Sequence, residues 1–260
     1  MAVAAFAAFL AFGGLLAQPQ AASASGIKVV IVVGPTGSRT SEYIGNANYI
    51  ASKARSYGAT VYKVYSPYAT WSRVKQIARG ANLFVYLGHG NGWPSPYAPF
   101  QKRTKDGLGL NSSGGNGNYN TKYYGENYIA ADLDLAPNSA VLFFRLCYAS
   151  GNSEPGRATP TRSTAHQRVD NYGAGFLRAG ARAVFAEGWR DPSYILNGLI
   201  RTDRTMREIF WSSPRATRSY ASSFGSSRTS GMTGLLDPYS SGGYYRSVVG
   251  NLDMTASQWR

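Results

Sequence analysis

The chain has 260 residues, enough for one large domain with a sizeable buried core, and we expect a single core domain. Its 27 Lys and Arg residues against 13 Asp and Glu residues give a net charge of +14. The basic residues are scattered and not gathered into one short run, so the sequence does not predict specific nucleic-acid binding. The charge instead favours solubility of an exported protein and contact with anionic polymers of the cell envelope.

The first segment, residues 1–24, has the pattern of a signal peptide. An apolar run through Leu15 and Leu16 is followed by the small residues Ala22-Ser23-Ala24, which are typical of a cleavage site. The run is shorter than the roughly 20 residues that a membrane-spanning helix needs, and no later stretch is long and apolar enough either. We therefore expect a secreted or cell-envelope protein with no transmembrane span in the mature chain. An uncleaved N-terminal anchor is the alternative, because the leader lacks basic residues before its apolar run.

The next segments alternate between strand and helix patterns. They predict a strand over 27–33, a helix over 43–54, a strand over 60–65, a helix over 71–78 and a strand over 83–87. Strands alternating with helices of this length are typical of βαβ units and a parallel sheet.

Two long loops interrupt the pattern further along the chain. Residues 88–126 are rich in Gly, Asn, Ser and Tyr, and a loop of this length is usually functional or mobile. A fourth strand is predicted over 140–146, followed by a second loop over 148–167. We thus expect chemistry in the connections that follow the third and fourth strands.

The last third of the chain returns to the alternating pattern and then loses it. It predicts a short helix over 172–179, a strand over 181–186, and helices that start at Asp191 and Asp203. Residues 214–260 predict a loop-rich tail or a small β addition. The expected fold is therefore an α/β domain over 27–213, with a mainly parallel central sheet and helices on both faces, followed by this extension.

Cys147 and His89 are the residues that most suggest chemistry. Cys147 is the only cysteine, so it cannot form an internal disulfide in an oxidising compartment, and a buried inert thiol is the alternative explanation. His89 follows the third predicted strand and Cys147 the fourth. Because ligands of open α/β sheets bind beyond the carboxyl ends of the strands, these two side chains are expected to meet.

The ordered set of motifs resembles the caspase-like cysteine peptidases, the clan that includes gingipains and the CHAT-type peptidases. One apolar strand ends in Gly88-His89-Gly90, a later one ends in Cys147, and the segment 175–189 is similar to the helix, strand and Trp that follow the Cys in CHAT-type and gingipain-like members. The resemblance covers residues 27–210. It implies a caspase-like fold, Cys147 as nucleophile, His89 as proton donor to the leaving amine, and the backbone amides of Gly90 and Cys147 as oxyanion donors.

The resemblance also suggests substrate-binding residues. An acidic group often lines the pocket of this clan for a basic substrate side chain, and Glu187 or Asp191 is the candidate here, although Asp191 is also explained as a helix cap. Trp93 and Trp189 are further candidates for a substrate cleft.

The sequence therefore predicts a secreted cysteine endopeptidase, expected to be a monomer, that acts on protein or peptide substrates through an acyl-enzyme. The alternative is a catalytically inactive module of the same fold that binds envelope polymers or proteins, left open because Leu146 stands where Ala is more usual before the Cys. No cofactor is implied, and one Cys with two His residues offers no recognisable metal site.

Overall fold

The structure is a computed structural model that describes Met1 and residues 26–260. Apart from Met1, the predicted signal peptide lies outside the described residues. The strands are Lys28–Val33 (β1), Thr60–Tyr65 (β2), Leu83–Leu87 (β3), Leu108–Asn111 (β4), Thr121–Tyr124 (β5), Ser139–Phe144 (β6), Ala181–Glu187 (β7), Ser222–Gly225 (β8), Thr233–Leu236 (β9) and Arg246–Gly250 (β10). The helices are Thr40–Ser56 (α1), Trp71–Ala78 (α2), Glu126–Asp132 (α3), Arg162–Arg178 (α4), Ser193–Arg201 (α5), Met206–Trp211 (α6) and Ala256–Trp259 (α7).

A mostly parallel eight-stranded sheet forms the centre of the molecule, as predicted. Its strand order is β2-β1-β3-β6-β7-β10-β9-β8. The first five strands in this order are parallel, and the last three run antiparallel to their neighbours. Strands β3 and β6 are parallel neighbours, so their carboxyl ends lie at the same edge of the sheet.

Alternation along each buried strand builds two cores, one on each face of the sheet. In β1, Val29, Ile31 and Val33 face one core while Val30 and Val32 face the other. Helices α1, α5, α6 and α7 cover the first face, and α2, α3 and α4 cover the second. A parallel sheet buried on both faces explains why the strands read as nearly continuous apolar runs. Among the described residues, every helix is too short or too polar to span a membrane.

The first long loop contains a β-hairpin that the sequence did not predict. Strands β4 and β5 pair antiparallel and lie over the end of β3. The Tyr86 hydroxyl donates to the Gly109 carbonyl oxygen at 2.8 Å and accepts from the Gly109 N–H at 2.9 Å. Because each strand has only four residues, its alternation is too short to stand out from the Gly-rich sequence around it.

Two further boundaries differ from the sequence prediction. Helix α4 begins at Arg162, ten residues before the predicted start, because the Thr161 side chain caps it by accepting from the Thr164 N–H at 3.2 Å. The C-terminal segment is the predicted small β addition, but it completes the central sheet: β10 pairs with β7. Residues 214–260 are therefore part of the same folded unit as the core.

Candidate active site

Cys147 lies in a tight turn just after β6. The strand ends at Phe144, and Arg145 has a φ of 61°, in the left-handed region that non-glycine residues rarely adopt. Tyr148, on the other side of Cys147, has a φ of 70°. Such strained backbone concentrates at functional sites, where the surrounding structure must hold it in place. The turn thus holds the thiol at the carboxyl edge of the sheet.

His89 reaches the same edge from β3, the neighbouring strand. The chains after the two strands approach so closely that an ideal Cβ at Gly90 would lie 2.1 Å from the Cys147 carbonyl oxygen and 3.1 Å from the Cys147 nitrogen. Only glycine fits at this position. Within the described part of the chain, the backbone N–H groups of Gly90 and Cys147 have no hydrogen-bond acceptor, so both remain free to donate.

Two clefts meet at His89, Cys147 and Glu154, which line both of them. The His-side cleft has a volume of about 430 Å³ and is completed by residues of the first long loop, including Tyr97, Gln101, Thr104, Lys105 and Tyr123. The Arg-side cleft has a volume of about 420 Å³ and is completed by residues of several loops, including Arg39, Arg145, Arg157, Trp189 and Tyr245. A ligand chain crossing the thiol would have a cleft on either side of it.

The thiol and the imidazole are both neutral at pH 7. Burial raises the pKa of Cys147 to about 11, and the negative charge of Glu154 acts in the same direction. Desolvation lowers the pKa of His89 from its usual 6.5, and Glu154 opposes this only in part. A neutral imidazole can accept a proton, and a buried thiol keeps its proton until a base takes it.

Among the described residues, Glu154 is the one carboxylate that lines either cleft, and two tyrosine hydroxyls donate to it. Its Oε2 accepts from the Tyr97 hydroxyl at 3.0 Å, and its Oε1 accepts from the Tyr148 hydroxyl. Because each carboxylate oxygen already accepts from a phenol, Glu154 holds the loop after Cys147 to the loop after His89.

Arg168 on helix α4 also connects the loop after His89 to the loop after Cys147. Its Nε donates to the Pro94 carbonyl oxygen at 2.7 Å, and its Nη1 donates to the Asn152 carbonyl oxygen at 2.8 Å and to the Ser153 Oγ at 3.1 Å. The guanidinium also stacks over the Tyr148 ring, 4.8 Å from its centroid. A single buried side chain thereby fixes the distance between the His89 and Cys147 loops.

The Arg-side cleft has a basic wall. Arg39 donates to Glu42 at 3.0 Å, and Arg145 contacts the same carboxylate. The Nε of Arg145 is buried and has no hydrogen-bond partner among residues 26–260. The single carboxylate of Glu42 thus contacts two guanidinium groups beside the thiol, and Arg157 adds a third guanidinium at the rim of the Arg-side cleft.

The proposed substrate-binding residues lie in different places. Trp189 is exposed and lines the Arg-side cleft, where its ring meets Tyr245 edge to face. Trp93 is half-buried, lines neither cleft and stacks on Phe100 at 5.7 Å between ring centroids.

The two acidic candidates for a pocket that binds a basic side chain lie outside both clefts. Glu187 is buried and accepts from Arg246 Nε at 2.8 Å and from the Tyr194 hydroxyl. Asp191 is exposed and accepts from the Ser193 N–H at 2.8 Å, but the N-cap position of α5 that the sequence assigned to Asp191 is occupied by Pro192. Neither carboxylate faces the thiol.

Sequence reasoning did not single out Lys105, Glu154 or Arg168. Lys105 and Glu154 come from loops without periodicity, and Arg168 lies between the predicted loop over 148–167 and the predicted helix over 172–179, in the part of α4 that was not predicted to be helical. The one available signal was the length of the two loops, which indicated function without indicating the residues. Among residues 26–260, no group of three or more His, Cys, Asp or Glu side chains is arranged to hold a metal ion.

No protein-family model matches the sequence, and no curated protein matches it. Among solved structures, the chain has a likeness to a short-chain flavodoxin associated with a PDU bacterial microcompartment, with 12% identity and a TM-score of 0.31 over 60% of this chain and 77% of that one. A flavodoxin of Streptococcus pneumonia TIGR4 gives 14% identity and a TM-score of 0.29 over 59% of this chain and 77% of that one. Likenesses at these TM-scores indicate no function for this chain.

Proposed function

We propose that the protein is a secreted cysteine endopeptidase of caspase-like fold, with Cys147 as nucleophile and His89 as acid and base. The observation that carries the proposal is the meeting of His89, Cys147 and Gly90 at the ends of two neighbouring parallel strands, between two clefts. The five parallel strands in the order β2-β1-β3-β6-β7, together with the motif order along the chain, support the caspase-like assignment.

Each step of the reaction can be assigned to these groups. The Cys147 thiol passes its proton to the neutral His89 imidazole as sulfur bonds to the substrate carbonyl carbon. His89 then gives this proton to the leaving amine as the C–N bond breaks, which leaves an acyl-enzyme. A water molecule attacks the thioester, His89 takes its proton, and the carboxylic acid leaves as the thiol is restored.

The free amides of Gly90 and Cys147 suit the charge that develops in this reaction. The carbonyl oxygen becomes an oxyanion when sulfur attacks, and two preorganised N–H donors stabilise it. The absence of a side chain at Gly90 allows the backbone after His89 to approach the Cys147 backbone this closely. Gly90 is therefore essential to the proposed site although it has no functional group of its own.

Labelling with peptidyl electrophiles tests the proposal. A panel with basic, acidic and Asn residues before the warhead is incubated with the wild type and with Cys147→Ala, His89→Ala and Gly90→Ala, and the modified residue is identified by mass spectrometry. We expect label on Cys147 alone, and a loss of rate of about 100-fold or more in His89→Ala and Gly90→Ala.

The second histidine gives a matched control. His166 lies away from both clefts, stacks on Phe224 and has its Nε2 2.9 Å from Ser222 Oγ, so His166→Ala should label like the wild type. An unlabelled Cys147 in a folded protein would remove the basis for catalysis. Equal losses in the two histidine variants would mean that His89 has no special role.

A binding module without catalysis is the second candidate. The raised pKa of Cys147 favours it, because a buried thiol that keeps its proton is a poor nucleophile unless a base removes it. The arginines around the thiol would suit an anionic envelope polymer or protein. This candidate predicts unchanged polymer binding in Cys147→Ala, measured by co-sedimentation, together with failure of every electrophile in the panel.

A further inference from the structure

Lys105 is a buried ammonium group without a carboxylate partner. Its side chain is 3% exposed, and its Nζ donates to Asn91 Oδ1 at 2.8 Å and to Ser95 Oγ at 3.2 Å. Among the described residues it forms no ion pair. Two neutral acceptors satisfy two of its three donors, and the third has no acceptor in the described part of the chain.

Two acidic groups act on this charge from a distance, but among the described residues neither forms an ion pair with it. Burial raises the pKa of Asp106 to about 8, so its carboxyl is mostly protonated at pH 7. Glu154 lines the same cleft and keeps its negative charge, but its two oxygens accept from the Tyr97 and Tyr148 hydroxyls and not from Lys105. A buried cation without a carboxylate in direct contact is costly, and such groups are generally paired. The structure therefore leaves Lys105 suited to an anion from outside the chain.

The position of Lys105 indicates what that anion is attached to. The residue lines the His-side cleft, the same cleft that exposes His89 and Cys147. Gln101, Thr104 and Tyr123 line it as well and offer polar side chains to a ligand. A volume of about 430 Å³ is ample for one amino-acid side chain beside the thiol.

We propose that the His-side cleft binds an acidic side chain of the peptide substrate, with the Lys105 ammonium donating to its carboxylate. The proposal rests on the proposed endopeptidase function and names its substrate class. It differs from the expectation that Glu187 or Asp191 lines a pocket for a basic side chain, since both of these carboxylates lie outside the two clefts. The basic wall of the Arg-side cleft favours the same class of substrate by long-range attraction.

Matched peptide pairs test this specificity. Each peptide carries Glu or Gln, or Asp or Asn, at one position on either side of the scissile bond, and the ratio of kcat/KM within a pair is measured. We expect the acidic member to be favoured by about tenfold or more at one position, and the ratio to fall to about one in Lys105→Gln. A preference that is absent in the wild type, or that persists in Lys105→Gln, would overturn the proposal.

Arg103→Gln is the control for charge. Arg103 lies two residues from Lys105, outside the His-side cleft, and its Nη2 donates to the Tyr128 hydroxyl at 3.2 Å. This variant removes one positive charge from the same segment and should keep the ratio of the wild type. An equal loss of the ratio in Arg103→Gln would mean that the overall charge, and not a site at Lys105, selects the substrate.

A binding measurement separates this inference from the proposed function. The Glu and Gln peptides are titrated by calorimetry into Cys147→Ala and into Cys147→Ala with Lys105→Gln, which needs no turnover. Tighter binding of the Glu peptide that Lys105→Gln abolishes supports the subsite, even where electrophiles fail to label Cys147 in the wild type. Equal binding of both peptides to Cys147→Ala overturns the subsite, even where labelling and hydrolysis succeed. Circular dichroism establishes that each variant is folded before it is scored.

Discussion

The carboxyl of Asp106 is buried directly behind the His89 loop. The backbone N–H of Asp106 donates to the Asn91 carbonyl oxygen at 2.9 Å, and the carboxyl Oδ1 accepts from the Trp93 N–H at 2.9 Å. Its Oδ2 is buried and has no hydrogen-bond partner in the described part of the chain. Burial raises its pKa from the usual 3.8 to about 8, so the native protein holds a proton that the unfolded chain releases at pH 5 to 7.

Replacing the Asp106 carboxyl should change how the free energy of unfolding depends on pH. Because the native state binds the extra proton, the free energy of unfolding of the wild type should fall as pH rises from about 4 to about 8. Asp106→Asn keeps an acceptor for Trp93 and tolerates the φ of 59°. The variant should lack this fall, so its advantage over the wild type should grow by about 1.4 kcal/mol per pH unit, measured by urea unfolding at pH 5, 6 and 7. A constant difference between the two proteins would contradict the pKa assigned to Asp106.

For single residues, the sequence predicts site residues that directly follow a strand and does not predict those that loop contacts position. His89 and Cys147 can be placed because a buried apolar run ends just before each of them. Lys105 and Glu154 cannot, because their positions depend on Tyr97, Tyr148 and Asn91, contacts that no local pattern records.

Helix α4 matters for the site through one residue, Arg168. The helix packs against β7 and β10 on the second face of the sheet, and Arg168 donates to Pro94 in the loop after His89 and to Asn152 in the loop after Cys147. Lysine cannot reproduce this arrangement, because an ammonium lacks the planar fork of donors. We therefore assign Arg168 a positioning role.

Removing the Arg168 guanidinium should slow the proposed peptidase reaction more than it weakens substrate binding. In Arg168→Ala we expect a loss of kcat of about 100-fold, because a displacement of about 1 Å between His89 and Cys147 is enough to produce it. Guanidinium chloride at a concentration that does not denature the protein should restore part of the rate, and potassium chloride at equal ionic strength should not. Arg162→Ala, at the exposed start of the same helix, is the control. A loss of stability without rescue would mean that Arg168 is only structural.

The elements follow from the sequence where their patterns are long. Strands β1, β3, β6 and β7 are apolar runs buried on both faces and were predicted within one or two residues of their bounds. The start of α4 was missed because its first residues are polar and exposed, so only the Thr161 cap marks it. The β4–β5 hairpin depends on its contact with Tyr86, which lies far away in sequence.

The C-terminal segment completes the first core of the molecule. Trp259 on α7 is 1% exposed, packs in the first core and donates from Nε1 to the Asn82 carbonyl oxygen at 2.9 Å. Asn82 directly precedes β3, and its Oδ1 accepts from the Lys28 N–H at 2.9 Å. Trp259 thus secures the end of the sheet opposite the site.

Truncating this side chain should destabilise the entire domain. We expect Trp259→Ala to lower the free energy of unfolding by about 3 to 5 kcal/mol, because it removes a large buried ring and a buried hydrogen bond. Trp189→Ala, whose ring is 59% exposed, should change it by less than about 1 kcal/mol. Both values come from urea unfolding. Similar values for the two variants would mean that the segment after β10 does not share the cooperative unit.

The sheet order carries a consequence for how the chain acquires its structure. The strands that carry His89 and Cys147 lie in the first 147 residues, whereas β10 and Trp259, which complete the sheet and its first core, come about a hundred residues later. A chain made from its N-terminus therefore contains His89 and Cys147 well before it can bury the faces of the sheet that hold them in position. We expect the loops after His89 and Cys147 to remain unformed in nascent chains, so that the proposed reactivity of the thiol toward peptides begins only once β10 and α7 have docked.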